Sequence, residues 1–139
     1  QAIVVSFHHK WIQDLQQNQI SVVFRKRGPR SFQPKWIYVY ACAPISAIIG
    51  RLEIKKYDWL SVEEALKLTI EGRIEKNELL SYAQDYESLA VFTVGAFKSA
   101  KRPLSRIFLN GKYGFHPPQT FLRLSLDGQN EIDKLGGLD

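Results

Sequence analysis

A chain of 139 residues with 45% hydrophobic residues and a net charge of +5 suits a single domain with a real core, and its charge favours a polyanionic partner. Cys42 is the only cysteine, which excludes an intramolecular disulfide. The histidines, His8, His9 and His116, lack the spacing of zinc ligands, so no metal or cofactor is expected. No apolar run approaches the roughly 18 residues of a membrane helix and no signal peptide is recognised, so we expect no membrane partner and a reduced, cytoplasmic setting.

The first half of the chain is predicted to contain four strands and one short helix. Residues 2–7 and 21–27 are β-branched runs, and residues 8–17 between them carry apolar side chains at helical spacing. A loop rich in glycine and proline then leads to an aromatic, β-branched strand at 36–41 and a further strand at 47–57.

The second half begins with a helical insert. Ser61 and Glu64 have the spacing of a capping box, which starts one helix, and residues 76–85 are predicted to form another. Apolar runs at 89–98 and 121–126 are predicted to be the last two strands.

About six strands, a short N-terminal helix and the helical insert define an α+β protein. Too few helices alternate with strands for a doubly wound parallel sheet, so a small curled mixed sheet or barrel is predicted. Glycine and charge dominate after residue 126. The domain is therefore predicted to span residues 1–126, with residues 127–139 as a flexible tail or a linker to an additional domain or protein partner.

The main functional signal is a basic strand end that runs into a glycine-proline turn. Because side chains alternate on a strand, Arg25 and Arg27 are predicted to share one face, beside a loop that adds Arg30 and Lys35. Guanidinium groups match phosphate oxygens and base edges and stack on flat rings, so the pattern favours an anionic partner, foremost nucleic acid. A solvated basic strand end without a ligand is the alternative interpretation.

Tyr38 and Tyr40 alternate with aliphatic residues on the strand at 36–41. If the aliphatic side chains face the core, both tyrosines face the cleft or solvent. A tyrosine ring beside arginines provides a stacking platform for an unpaired base, and this role is assigned to Tyr40. An ordinary cross-strand aromatic pair is the alternative.

Four parts of the chain resemble the ASCH domains of the PUA-like superfamily. They are Val5 to Leu15, Ser21 to Arg27, Ile37 to Gly50, and Lys101 to Leu104 together with Gly114 to Phe121. The resemblance implies a PUA-like β-barrel with a cleft beside it, and RNA or another nucleic acid as the ligand.

The same resemblance implies an enzymatic alternative, a metal-independent ribonuclease or a modified-nucleoside amidohydrolase. ASCH-like amidohydrolases use a lysine, a threonine and a glutamate, and the first two positions correspond to Ile20 and Val23 here. ASCH-like ribonucleases use a tyrosine, a lysine and a serine. These positions correspond to Tyr40, Ser46 and Thr120, which are the candidate catalytic residues if the protein is an enzyme.

We therefore predict a nucleic-acid-binding domain, with RNA as the ligand, that has a basic and aromatic cleft. A second basic cluster at a turn is predicted to extend the positive rim of this cleft. Polar side chains near residue 120 are predicted to contact the bases or the backbone of the nucleic acid. The candidate binding residues are Arg25, Arg27, Tyr40, Lys98, Lys101, Arg102, His116, Gln119 and Thr120. An adaptor that binds another protein within a larger regulator is a third interpretation.

Overall fold

The computed structural model describes residues 1–139 and contains one mixed sheet of six strands. The strands are β1 (Ala2–Phe7), β2 (Val22–Arg25), β3 (Trp36–Ala41), β4 (Ala47–Ser61), β5 (Ser88–Ser105) and β6 (Leu122–Leu124). Their order in the sheet is β2-β5-β4-β3-β1-β6, with β1 parallel to β3 and every other pair antiparallel. The edge strands β2 and β6 do not pair, so the sheet is not closed, and the predicted α+β class with a curled mixed sheet is confirmed.

Short helices surround this sheet. They are α1 (Ile12–Gln16), α2 (Val62–Ala65), α3 (Thr69–Gly72), α4 (Lys76–Tyr82), α5 (Arg106–Tyr113) and α6 (Leu126–Gly136). The predicted capping box is present at the start of α2, where the Ser61 hydroxyl accepts from the Glu64 amide and the Glu64 carboxylate accepts from the Ser61 amide. None of the helices combines the length and the hydropathy that a membrane crossing requires.

The hairpin of β4 and β5 is longer than the sequence predicted. β4 has 15 residues and β5 has 18, and their pairing shifts register at three points. Such bulges bend a long strand and increase its twist. Gly50 lies at one of them, where a Cβ atom would collide with the Lys98 carbonyl, so the glycine permits the close approach of the two strands.

Strand β3 is buried on both faces. Its aliphatic side chains, among them Ile37 and Val39, belong to a first core between the sheet and α1, whereas Tyr38 and Tyr40 belong to a second core beneath α5 and α6. The two tyrosines are only 0% and 2% exposed. The prediction that they face the cleft or solvent was therefore wrong, because two C-terminal helices cover that face of the sheet.

The predicted tail after residue 126 was also wrong, because most of it forms α6. The Ser125 hydroxyl caps this helix by accepting from the Gly128 amide at 3.0 Å. Ile132 and Leu138 are buried in the second core. The composition of this segment did not predict a helix, because glycines and charged residues separate its few apolar residues. Those apolar residues are nevertheless at helical spacing.

A buried ion pair fastens α6 to the sheet. Arg51 on β4 donates from Nη1 to Oδ2 of Asp133 at 2.9 Å, and the Tyr38 hydroxyl donates to Oδ1 of the same carboxylate at 2.6 Å. Burial raises the pKa of Tyr38 to about 12, so the hydroxyl keeps the proton that it donates. The C-terminal helix is thus a structural part of the domain.

Candidate nucleic-acid interface

A groove with three cations lies between the end of β2 and the segment that precedes β6. We call it the basic groove, and the residues that line it are Lys26, Arg27, Gly28, Arg30, Trp59, Tyr86, Thr120 and Phe121. One wall comes from the glycine-proline turn, another from the ends of the β4–β5 hairpin, and the third from the segment before β6. The open side of the curled sheet therefore brings together residues from four distant parts of the sequence.

The turn that carries the cations is held by Tyr57. The Tyr57 hydroxyl donates to the Pro29 carbonyl at 2.6 Å, and its ring stacks on Phe92 with 4.7 Å between centroids. Burial raises the pKa of Tyr57 to about 12, so the phenol stays protonated and remains a donor. Gly28 packs closely here, since a Cβ atom at this position would lie 2.5 Å from the Tyr57 oxygen and 2.8 Å from Ala90 Cβ.

We expect Gly28→Ala to lower the free energy of unfolding by about 1–3 kcal/mol, the usual cost of overpacking a fitted site. Gly111→Ala is the matched control, because Gly111 lies in α5 with nothing within 4 Å of an added Cβ. Alanine there should leave stability unchanged or raise it by up to about 1 kcal/mol. Urea denaturation measures both effects, and equal stability of the two variants would show that the turn does not depend on this contact.

The cations of the basic groove have no carboxylate partners. Lys26, Arg27 and Arg30 take part in none of the five ion pairs of the protein. The Arg30 guanidinium lies 3.7 Å from the centroid of the Trp59 ring, and the Lys26 ammonium lies 5.6 Å from that of Tyr86. These cation–π contacts hold the charged groups without neutralising them.

One carboxylate lies next to the basic groove. Asp58 lines the adjoining hollow together with Arg30 and Trp59, and it forms an exposed ion pair with Lys56 at 3.4 Å. Lys56 therefore offsets the charge of this carboxylate.

Arg25 does not join Arg27 in the basic groove. Its guanidinium donates to the Phe24 carbonyl at 2.7 Å and to the Ser6 carbonyl at 3.1 Å, and it lies over the Phe7 ring at 4.5 Å. Desolvation lowers its pKa below the ordinary value. The strand ends at Arg25, so the alternation that predicted a shared face does not extend to Arg27.

The second predicted basic cluster lies elsewhere and holds α6. The Lys98 ammonium donates to the Leu138 carbonyl at 2.7 Å, and Arg102 donates to the carbonyls of Leu135 and Lys134 at 2.9 and 3.1 Å. Trp59, which lines the basic groove, pairs with Ala90 on β5. Lys98 lies eight residues farther along β5, which places it roughly 25 Å from the groove. Lys98 and Arg102, with Lys101 between them, therefore do not form a second wall of the basic groove.

We expect Arg102→Ala to lower the free energy of unfolding by about 1 kcal/mol, because the last carbonyls of α6 lose their donors. Lys101→Ala is the control, since Lys101 makes no hydrogen bond to the helix. Affinity for RNA should be the same in both variants and in the wild type. A loss of RNA affinity in Arg102→Ala without a loss of stability would instead assign this cluster to binding.

The remaining predicted contacts are divided between two regions. Tyr40 has no open ring face, because its ring packs against Phe115 with 5.7 Å between centroids. His116 lines an apolar hollow beside α5 and α6, whereas Thr120 lines the basic groove. Gln119 is exposed between these two regions. Of the polar residues predicted near residue 120, only Thr120 contributes to the basic groove.

The positions that correspond to enzymatic residues differ in their surroundings. Ser46 lies in the loop before β4, where its carbonyl accepts from the Arg106 amide at 2.8 Å, and Tyr40 is buried beneath Phe115. Ile20 and Val23 line a common cavity but supply neither a base nor a nucleophile. No cluster of three or more His, Cys, Asp or Glu side chains is present to hold a metal ion.

Three aromatic residues that line the basic groove were missed as site residues: Phe121, which follows the predicted Thr120, and the more distant Trp59 and Tyr86. Trp59 precedes the capping box, whereas Tyr86 follows the second helix of the insert. The pairing of Trp59 with Ala90 and the packing of Lys26 on Tyr86 bring both to the basic strand end. An aromatic residue at each boundary of the insert is the sequence signal that could have found them.

No protein-family model and no curated protein sequence matches the chain. Its fold is the fold of ASCH domains. The structure of the ASCH protein of Zymomonas mobilis superposes with a TM-score of 0.86 at 20% identity, over 96% of this chain and 94% of that one. A serine-to-alanine variant of the same protein gives 0.87 at 19% identity, over 96% and 95%. The N-terminal domain of McrB from Staphylothermus marinus is more distant, with a TM-score of 0.61 at 11% identity over 97% of this chain and 94% of that one.

Proposed function

We propose that the protein binds single-stranded nucleic acid, with RNA as the preferred form, in the basic groove. The observation that carries the proposal is the convergence of three cations without carboxylate partners on a groove that three aromatic residues and Thr120 also line. Likeness to ASCH domains supports the same class of ligand, because the sequence resemblance implies RNA or another nucleic acid.

The cations suit a phosphate backbone. A guanidinium group can donate two parallel hydrogen bonds to one phosphate, and Arg27 and Arg30 have no competing carboxylate partner. Neutralising phosphates releases condensed counterions, so the affinity should fall steeply with salt. The Thr120 hydroxyl can donate to a phosphate oxygen or exchange hydrogen bonds with a ribose 2′-hydroxyl.

The aromatic side chains favour an unpaired strand. Trp59 and Tyr86 line the basic groove, and Tyr86 is 37% exposed. Rings of this kind stack on bases that are splayed out of a helix, which a duplex does not offer. The guanidinium of Arg30, stacked on Trp59, extends the flat surface on which such a base can lie.

Fluorescence anisotropy with labelled oligonucleotides tests the proposal. Single-stranded RNA should bind more tightly than duplex RNA or single-stranded DNA of the same length, and binding should weaken as salt rises. Equal or tighter binding of duplexes, or affinity independent of salt, would contradict it. Gel analysis of the same samples tests the ribonuclease alternative, since a metal-independent nuclease would cleave the RNA during the incubation.

A further inference from the structure

A small apolar cavity lies beside edge strand β2, on the side that does not pair with β5. Its volume is about 140 Å³, and nine of its twelve lining residues are hydrophobic. Four aromatic rings line it, from Phe7, Trp11, Phe24 and Tyr82, and Ile74 of the insert lines another part. We call it the Arg25 cavity, because Arg25 supplies its one cation.

The charge of Arg25 is not compensated within the protein. Two carbonyl oxygens accept from its guanidinium, which leaves three of its five N–H donors without a protein acceptor. Arg25 takes part in no ion pair. Arg25 is half-buried, and charges shielded from water in proteins are normally paired, so this guanidinium can still accept an anion.

The only carboxylate that lines the cavity does not compensate this charge. Glu78 forms an ion pair with Lys10 at 2.5 Å, and the same Lys10 ammonium lies 4.6 Å from the centroid of the Trp11 ring. Lys10 thereby neutralises the carboxylate that would otherwise repel an incoming anion. Desolvation lowers the pKa of Arg25, and an anion bound beside it would favour the charged guanidinium.

We propose that the Arg25 cavity binds a small free monocarboxylate, with the carboxylate on Arg25 and a compact apolar body among the aromatic rings. A planar carboxylate matches the free N–H groups of a guanidinium, and hydrocarbon matches the rest of the lining. The size is also suitable, since an apolar cavity of about 150 Å³ is large enough for benzene. The cavity holds no base or nucleophile at Ile20 or Val23, so the inference concerns binding and not catalysis.

Titration calorimetry with benzoate tests the proposal, with benzamide as the neutral probe of the same shape. We expect benzoate to bind at least tenfold more tightly than benzamide. Isovalerate should also bind, because its branched chain has a similar bulk. Absence of benzoate binding, or equal affinity for benzoate and benzamide, would overturn the proposal.

Two variants locate the bound probe. Arg25→Gln should abolish the preference for benzoate over benzamide, but it also removes donors to two carbonyl oxygens and can weaken the fold. Ile74→Trp retains Arg25 and fills the cavity from a half-buried position, so it should weaken benzoate binding at least tenfold in a folded protein.

Ile107→Trp is the matched control, because Ile107 is 86% exposed, and it should bind benzoate like the wild type. Undiminished benzoate binding by Ile74→Trp would place the probe elsewhere and overturn the assignment. Arg27→Ala should retain benzoate binding, because Arg27 does not line this cavity, so this site can be tested whether or not the basic groove binds RNA.

Discussion

Replacing Asp133 with alanine is expected to lower the free energy of unfolding by about 3–5 kcal/mol. The substitution leaves the guanidinium of Arg51 without its counter-ion at a site where the two side chains are only 15% and 12% exposed. It also removes the acceptor of the buried Tyr38 hydroxyl. The Nε atom of Arg51 already has no hydrogen-bond partner, so the unpaired arginine would have little compensation left.

Asp127→Ala is the matched control for this prediction, because Asp127 is exposed in the first turn of the same helix. Its loss should cost at most about 1 kcal/mol through the helix dipole. Urea denaturation of both variants measures the difference. A loss below about 1 kcal/mol in Asp133→Ala would mean that α6 contributes little to the stability of the domain.

Replacing Arg27 and Arg30 together with alanine is expected to reduce the affinity for single-stranded RNA by about tenfold, since exposed ion pairs contribute up to about 1 kcal/mol each. The salt dependence should change as well. Each phosphate contact on a single strand contributes about 0.7 to the slope of log affinity against log salt, so the slope should decrease by about 1.4.

The matched control for the arginine pair is Lys67→Ala with Lys76→Ala. Both lysines are exposed on the helical insert, neither forms an ion pair, and the total charge changes by the same amount. Anisotropy titrations at several salt concentrations compare the two double variants. Equal losses in both would indicate a diffuse effect of net charge and not a defined site.

Much of the fold could be predicted because each strand carries its own signal. Period-two alternation and β-branched residues indicated all six strands, and the capping box at Ser61 indicated the helical insert. The predictions that failed depended on what packs against an element. Tyr38 and Tyr40 lie on a face that only α5 and α6 cover, and α6 itself was hidden by a composition of glycine and charge.

The candidate site was predicted only in part for a related reason. Arg27 and Thr120 were predicted and do line the basic groove, whereas Trp59 and Tyr86 reach it through strand pairing and packing that no local pattern reveals. Arg25 looks like its neighbours in sequence but lines the Arg25 cavity and not the basic groove. Charge in the sequence locates cations, but only the packing of the chain shows which of them share a surface.

The most direct test of the proposed function is an NMR titration of the 15N-labelled protein with a short single-stranded oligoribonucleotide. Binding in the basic groove predicts chemical-shift changes concentrated at residues 26–30, at the Trp59 indole, at Tyr86 and at residues 120–121, which line or border the groove. Shift changes concentrated instead at residues 98–102 and the end of α6, or the absence of any changes, would contradict it.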